Sequence, residues 1–490
     1  MHTFYWHDYE TWGEVPALDR PSQFAGVRTD ADLNIIGEPL MIYCKPPPDL
    51  LPKPQACLVT SLTPQHAQRQ GLCEADFMAQ IHTELATAGT CAVGYNSIRF
   101  DDEVTRYGLY RNFYDPYERE WKNGNSRWDL IDVVRMTRAL RPEGIEWPNY
   151  EDGSPCFKLE ALSAANQLEH GSAHDALSDV YATIALAQLV RRRQPRLFDY
   201  AFKLRNKRFV ADLIDIDAFK PVLHISSMFA SQQGNAALVV PLAYHPQNKN
   251  SVIAYNLAID PIELFSLPAE ELAGRLFTPK ADLPEGVERL ALKEIHLNKS
   301  PMVLPVAMLD EQTEQRLGLD RALCEQHWRR FSAMTLVEAT ALRAKLAKLY
   351  QLSAFAPRTD PETMLYDGFF DDHDKALMRR VRQSSPAALA EGNFDFHDPR
   401  LAELLWRYRA RNFPETLNQS ELERWRVFCL QRLTQPEAGA SLIKSQFDEE
   451  IARLAQQESL SEAQRELLAQ LAGWSEKLLA EARSGGGEGN

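Results

Sequence analysis

Asp8 and Glu10 stand two residues apart in Phe4-Tyr5-Trp6-His7-Asp8-Tyr9-Glu10-Thr11, a short aromatic stretch that reads as a strand. Side chains at i and i+2 of a strand share a face, so the two carboxylates converge. Converging carboxylates repel each other unless a cation neutralises them, and a hard divalent metal is the natural partner. Further acids stand where they could join them. Asp101, with Asp102 and Glu103 directly behind it, follows the end of another strand pattern, where α/β proteins place functional groups. Asp179 and Asp175 belong to a helix pattern, and Asp179 is flanked by Leu177 and Val180, so a partner such as a metal is needed there too. Asp102, Glu103 and Asp175 compete for the same roles, since acids in a first helical turn also suit the helix dipole or an N-cap.

The elements that must hold these acids alternate between strand and helix over the first 190 or so residues. The aromatic strand and the runs 24–29 and 40–44 form a three-strand antiparallel meander. Thr63-Pro64 starts a helix, helical spacing returns at 74–88, and Cys91 to Tyr95 is a fourth strand. Helices follow at 101–113, 159–167 and 175–193, the last with Leu177, Val180, Tyr181, Ile184 and Gln188 on one stripe. The class is α/β, a mixed sheet packed between helices. From about 209 to 310 the texture turns to β-type runs at 236–242, 251–257 and 293–297, the first two joined by the turn-rich segment 245–250, which fits a small barrel-like domain. From Asp320 the pattern is helical almost throughout, interrupted at 355–361. Boundaries fall near 195 and 352, giving domains 1–195, 196–352 and 353–483, and the glycine-rich tail 484–490 is expected to be disordered.

With 490 residues, 44% of them hydrophobic, the chain has ample core for several domains. No apolar run approaches a membrane span, and the N-terminus runs directly into a strand pattern, so a soluble protein of the cytoplasm, with no membrane contact, is expected. Cys44, Cys57, Cys73, Cys91, Cys156, Cys324 and Cys429 are scattered without a C-x-x-C pair and read as reduced thiols. The net charge of −14 argues against coating nucleic acid by bulk charge. Local surplus exists all the same. Arg191, Arg192, Arg193, Arg196, Lys203, Arg205, Lys207 and Arg208 face the single acid Asp199 in a run that suits phosphate contacts, although cations at a helix C-terminus also explain its first members. Trp406, Arg407, Tyr408, Arg409 and Arg411 interleave aromatics with cations, a pattern that can stack bases; Leu401, Leu404, Leu405 and Tyr408 equally follow core spacing.

Three patterns in order carry a resemblance: Asp-x-Glu on the first strand, Asn96-x-x-x-Phe100-Asp101, and His174-x-x-x-x-Asp179. They resemble the motifs of the DEDD superfamily of 3′→5′ exonucleases, and the four residues between His174 and Asp179 give the histidine subclass. Longer stretches around these motifs, with Tyr366-Asp367-Gly368-Phe369-Phe370 and Arg409-Ala410-Arg411-Asn412-Phe413-Pro414, resemble the bacterial exonuclease I family over nearly the whole chain. The resemblance selects Asp101 over its neighbours and Asp179 over Asp175. It implies a ribonuclease H-like exonuclease domain with a mixed five-stranded sheet, an SH3-like β-barrel and an all-α C-terminal domain. It also implies processive removal of nucleotides from the 3′ end of single-stranded DNA, in repair and recombination.

The chemistry is coherent with that. Asp8, Glu10, Asp101 and Asp179 can hold two Mg²⁺ ions about 4 Å apart, one activating water and the other stabilising the leaving 3′ oxygen. His174 would be the general base. Positions 174 and 179 lie about 140° apart on an ideal helix, so His174 is expected on the loop entering it. The resemblance further implies docking of the acidic C-terminal tail of single-stranded-DNA-binding protein near Arg141, Tyr200 and Lys220, and a monomer. An RNA-trimming exonuclease and a DNA-end recruitment module are the competing readings; the complete acid set disfavours the second.

Overall fold

The computed structural model describes residues 2–168, 175–352 and 358–484. The chain forms two compact units. The first comprises Met1–Ser126, His170–Ile184 and Pro357–Asn490, and the second Arg127–Glu169 and Ala185–Ala356.

The first unit is built on strand β1 (Thr3–Thr11), with β2 (Pro21–Thr29), β3 (Leu40–Tyr43), β4 (Thr90–Gly94) and, beginning at its last residue, β5 (Ser126–Asp129). The order is β3-β2-β1-β4-β5. β1, β2 and β3 run antiparallel as the meander required, and β4 lies parallel to β1. The mixed sheet is that of a ribonuclease H-like domain. Its core gathers Tyr5, Tyr9 and Phe24 from the sheet with Phe77, Met78, Ile81 and Leu85 of the helix Glu74–Leu85 and Val104 and Leu109 of the helix Asp101–Arg111. The helix Ala176–Arg193 buries Val180 and Ile184 of the stripe read in the sequence, but Tyr181 and Gln188 are exposed, and Ala176 and Ala182 complete the buried face. Small alanines let this helix sit close to its neighbours, so its contact face is broader than a stripe of large apolar residues suggests.

Residues beyond 358 in the same unit are helical and pack directly on the N-terminal segment. Tyr107, Tyr110 and Phe113 share a core with Leu365, Met378, Leu401, Leu404 and Tyr408, and Trp12, Leu51 and Cys57 share another with Leu433, Phe447, Leu471 and Trp474. Between these cores lies a buried ionic network. Arg20 meets Glu362 at 2.8 Å, Arg411 meets Asp49 at 2.8 Å and also reaches Glu362, Arg432 lies 3.1 Å from Asp49, and Arg407 meets Asp360 at 2.6 Å. The interleaved segment at 406–411 is therefore structural on most of its length. Tyr408 is core, Arg409 binds Glu421 at 2.8 Å, and Arg407 and Arg411 are held by carboxylates rather than presented to a nucleic acid.

In the second unit, β6 (Val222–Ile225), β7 (Ala236–Tyr244), β8 (Ser251–Asn256), β9 (Leu292–His296) and β10 (Met302–Pro305) form an antiparallel sheet in the order β10-β6-β7-β8-β9. The anticipated β-runs are its three middle and edge strands; β6 and β10, four residues each, are too short to carry an alternation of their own. Pro241 stands inside β7 at a break in register, the position a strand proline tolerates. The same brevity hid β5, whose last residue, Asp129, caps the helix Leu130–Leu140 by accepting from the Ile131 N–H at 3.1 Å.

All seven cysteines carry free thiols, six of them buried. Among the described residues no helix is long and apolar enough to cross a membrane. Ser484 caps the helix Glu462–Arg483; the rest of the predicted tail, and part of the loop at 355–361, lie outside the described residues.

Burial alone would raise the Asp49 and Glu362 carboxyls, but Arg411, Arg432 and Arg20 hold Asp49 down at about 2, and Arg411, Arg20 and Arg407 keep Glu362 well below its ordinary value. A carboxyl lowered by folding contributes stability that is full above its unfolded value near 4 and is lost as pH falls through about 2. Acid titration followed by circular dichroism should accordingly show a stability loss below about pH 4 that Asp49→Asn shifts. Arg411→Ala, which strands two buried carboxylates, should destabilise the protein by about 3–5 kcal/mol in chemical denaturation.

Candidate active site

Pairing between β1 and β4 ends at Trp6 opposite Val93, while β1 continues to Thr11. Asp8, Tyr9 and Glu10 thus project past the carboxyl end of β4, the place where open α/β sheets receive ligands. The turn after β4 is tight. A side chain on Gly94 would collide with Ser97 and the His7 carbonyl, and Asn96 takes a left-handed φ of 65°, which asparagine tolerates better than most residues. A single 3₁₀ turn over Ser97–Arg99 then delivers Asp101 to the start of its helix.

Asp101 comes back against β1. The Tyr9 N–H, beyond the last parallel pair, donates to Asp101 Oδ1 at 3.0 Å, so this carboxylate is tied to the backbone between Asp8 and Glu10. The Thr105 hydroxyl donates to the Asp101 carbonyl at 2.8 Å and lies 3.0 Å from the Tyr9 hydroxyl, fixing the helix start to the strand. Asp102 and Glu103, the neighbours that could have served instead, are engaged elsewhere. Asp102 accepts from the fully buried Arg119 at 2.7 Å, and Glu103 meets Arg106 at 2.8 Å and the Tyr366 hydroxyl.

The helix Ala176–Arg193 supplies Asp179. Asp8, Glu10 and Asp179 each offer an oxygen, all within 4.8 Å of one another. Asp175 stands just before the helix, accepting from Gln23 Nε2 at 3.2 Å and from the Ser178 hydroxyl at 3.3 Å. Gln23 lies opposite Glu10 in the β1–β2 register, a positioning role that the sequence does not signal because it depends on that register. The helix begins at Ala176, after position 174, but His174 itself lies outside the described residues.

The electrostatics are those of crowded acids. Burial, then the carboxylates of Asp101, Glu10, Asp179 and Asp175, push Asp8 well above the ordinary range. Burial, then Asp179, Asp101 and Asp175, push Glu10 up to about 8. A hard cation would reverse every one of these effects, and three converging carboxylate oxygens are the donors it prefers. The residues therefore fit a divalent metal. The partner-surface candidates belong to the second unit. Arg141 lies 3.7 Å from Asp310, the Tyr200 hydroxyl donates to the Val303 carbonyl of β10 at 2.9 Å, and the exposed Lys220 stands just before β6, the neighbour of β10.

Comparison with known proteins agrees with this architecture. Family models match in three consecutive stretches: an exonuclease over residues 5–187, an exonuclease I SH3-like domain over 205–352 and an exonuclease I C-terminal domain over 359–478. Exodeoxyribonuclease I of Escherichia coli K12 is 48% identical over 424 residues, covering 86% of this chain and 88% of its own. The moderately thermophilic exonuclease I from Methylocaldum szegediense superposes with a TM-score of 0.93 at 49% identity, covering 98% of this chain and all of that one. The zinc-bound complex of the E. coli enzyme with single-stranded DNA gives 0.92 at 44% identity with the same coverage. A mixed-sheet unit with crowded acids past its central strands, followed by an SH3-like and a helical region, matches these enzymes end to end: the chain belongs to the exonuclease I family of nucleases.

Proposed function

We propose that this protein degrades single-stranded DNA from its 3′ end, releasing 5′-mononucleotides in repair and recombination, by hydrolysis that depends on two Mg²⁺ ions. The observation that carries the reading is the convergence of Asp8, Glu10 and Asp179 within 4.8 Å, with Asp101 locked beside them on the Tyr9 N–H. Asp8, Glu10, Asp101 and Asp179 are the ligands, and bound metals would supply activation of a water and charge stabilisation at the leaving 3′ oxygen. The chain's own part is to hold the carboxylates in place. The β1 backbone sets the separation of Asp8 and Glu10, and Thr105 and Tyr9 hold Asp101 against them. His174 takes the proton from the attacking water, a task suited to a group that titrates near neutrality. The single-stranded DNA in the complex of the E. coli relative supports the substrate, and its zinc supports a divalent cation.

Three further assignments accompany this one. The domains divide near 195 and 352, the protein works as a monomer in the cytoplasm, and Arg141, Tyr200 and Lys220 receive the acidic C-terminal tail of single-stranded-DNA-binding protein. The positive charge of Arg141, 3.7 Å from Asp310, and of the exposed Lys220, just before β6, supports the last.

Digestion of 5′-labelled single-stranded DNA, duplex DNA and RNA tests the activity. Single-stranded DNA should be shortened with Mg²⁺ and untouched with EDTA. Asp179→Ala should lower the rate by more than about 100-fold, and His174→Ala by roughly 100- to 10,000-fold. Equal rates on RNA and DNA would overturn the specificity for DNA, and full activity in Asp179→Ala would remove that residue from the ligand set. For the partner surface, anisotropy with a labelled acidic C-terminal peptide should show about fivefold weaker binding in each of Arg141→Ala and Lys220→Ala.

A further inference from the structure

Two short segments of the first unit repeat a pattern that the nuclease chemistry does not use: Asp372-His373-Asp374, at the start of the helix Asp372–Gln383, and Phe396-His397-Asp398, leading into the helix Pro399–Asn412. The fold brings them face to face. The His373 and His397 rings stack with centroids 4.2 Å apart and planes 15° from parallel, and each of His373, Asp374 and His397 offers a donor atom within 4.8 Å of the other two.

The hydrogen bonds around the two imidazoles set their tautomers. His373 Nε2 lies 3.0 Å from the Asp395 carbonyl, which can only accept, so that nitrogen carries the proton and the neutral ring presents the lone pair of Nδ1. His397 Nδ1 lies 2.8 Å from Asp371 Oδ2, and by the same reasoning the neutral ring presents Nε2. A carbonyl or carboxylate behind one ring nitrogen, with the other left as a donor, is the environment in which metal-binding histidines are held. Asp374, only 1% exposed, is fixed too: its oxygens accept from the His397 and Asp398 N–H groups at 2.8 and 2.9 Å, and each retains a lone pair.

The geometry points to a transition-metal site formed by His373, Asp374 and His397, with Asp371 and Asp395 as the groups that orient the imidazoles. Two nitrogens and one carboxylate suit Zn²⁺ or Co²⁺ and not Mg²⁺, and three protein ligands leave a position for water. Metal bonds of about 2.0–2.2 Å need donors roughly 3–3.5 Å apart, so the stacked rings must turn towards each other on binding. Both are exposed at the surface, where such a turn meets little resistance. The bound ion would pin the start of one helix to the entry of the next. This site is independent of the nuclease reading and shares no residue with it.

Equilibrium dialysis and visible absorption with Co²⁺ test it on the full chain, comparing wild type with His373→Gln/His397→Gln. The double variant should bind one equivalent fewer and lose the visible band of that equivalent, while Mg²⁺-dependent nuclease activity stays within twofold. His397→Gln alone should weaken that equivalent at least tenfold. Unchanged stoichiometry and spectrum in the double variant would overturn the assignment. A measurement that needs no variant is anomalous scattering from wild-type crystals soaked in Zn²⁺. A peak enclosed by His373, Asp374 and His397 is expected, and a saturating soak without one would equally reject the site.

Discussion

Taking carboxylates out of water is the constraint on which the first unit turns. A buried carboxylate needs positive charge close by, or it holds a proton it would lose in water. Asp49, Glu362 and Asp102 are answered by arginines of the chain, and the first two sit far below their ordinary titration range. Asp8 and Glu10 are crowded by other carboxylates and pushed the opposite way. One unit thus contains acids neutralised from within and acids arranged so that neutralisation has to come from outside. Structural and chemical roles are separated by that difference, although the residue types are the same.

Strand pairing creates the second group. Because β1 outruns β4, the polar backbone of its last residues is open to a side chain, and Asp101 takes the Tyr9 N–H where a further β4 residue would otherwise pair. The pleat then puts Asp8 and Glu10 on one face, with Asp101 attached between them. Two acids are spaced by the strand repeat and a third by a hydrogen bond to it, so little of the arrangement rests on flexible side chains.

Much of this was legible in the sequence because the signals are local. The i, i+2 pair at Asp8 and Glu10, the Thr63 cap and the meander need only short-range rules, and each is present in the structure. Non-local facts were harder to read. The choice of Asp101 over Asp102 and Glu103 could be drawn only from a motif, whereas its physical reason is that Arg119 and Arg106 engage the other two. The cations at 407–411 resembled a nucleic-acid surface because their partners, Asp49 and Asp360 among them, lie far away in sequence or across a loop. β5, β6 and β10, at four residues each, are too short for any periodicity to declare them.

The Arg20–Glu362 and Asp49–Arg411 pairs join residues 342 and 362 positions apart. Asp8, Glu10, Asp101 and Asp179 all lie in the first 179 residues, yet the unit that holds them is closed by residues beyond 358, which are translated long after them. A chain still emerging from the ribosome has its crowded acids and Arg20, but neither Arg407, Arg411 and Arg432 nor the helices that complete the core around them. The order of synthesis therefore withholds the finished unit until the segment beyond residue 358 has been made, and a product truncated before that segment would lack its support.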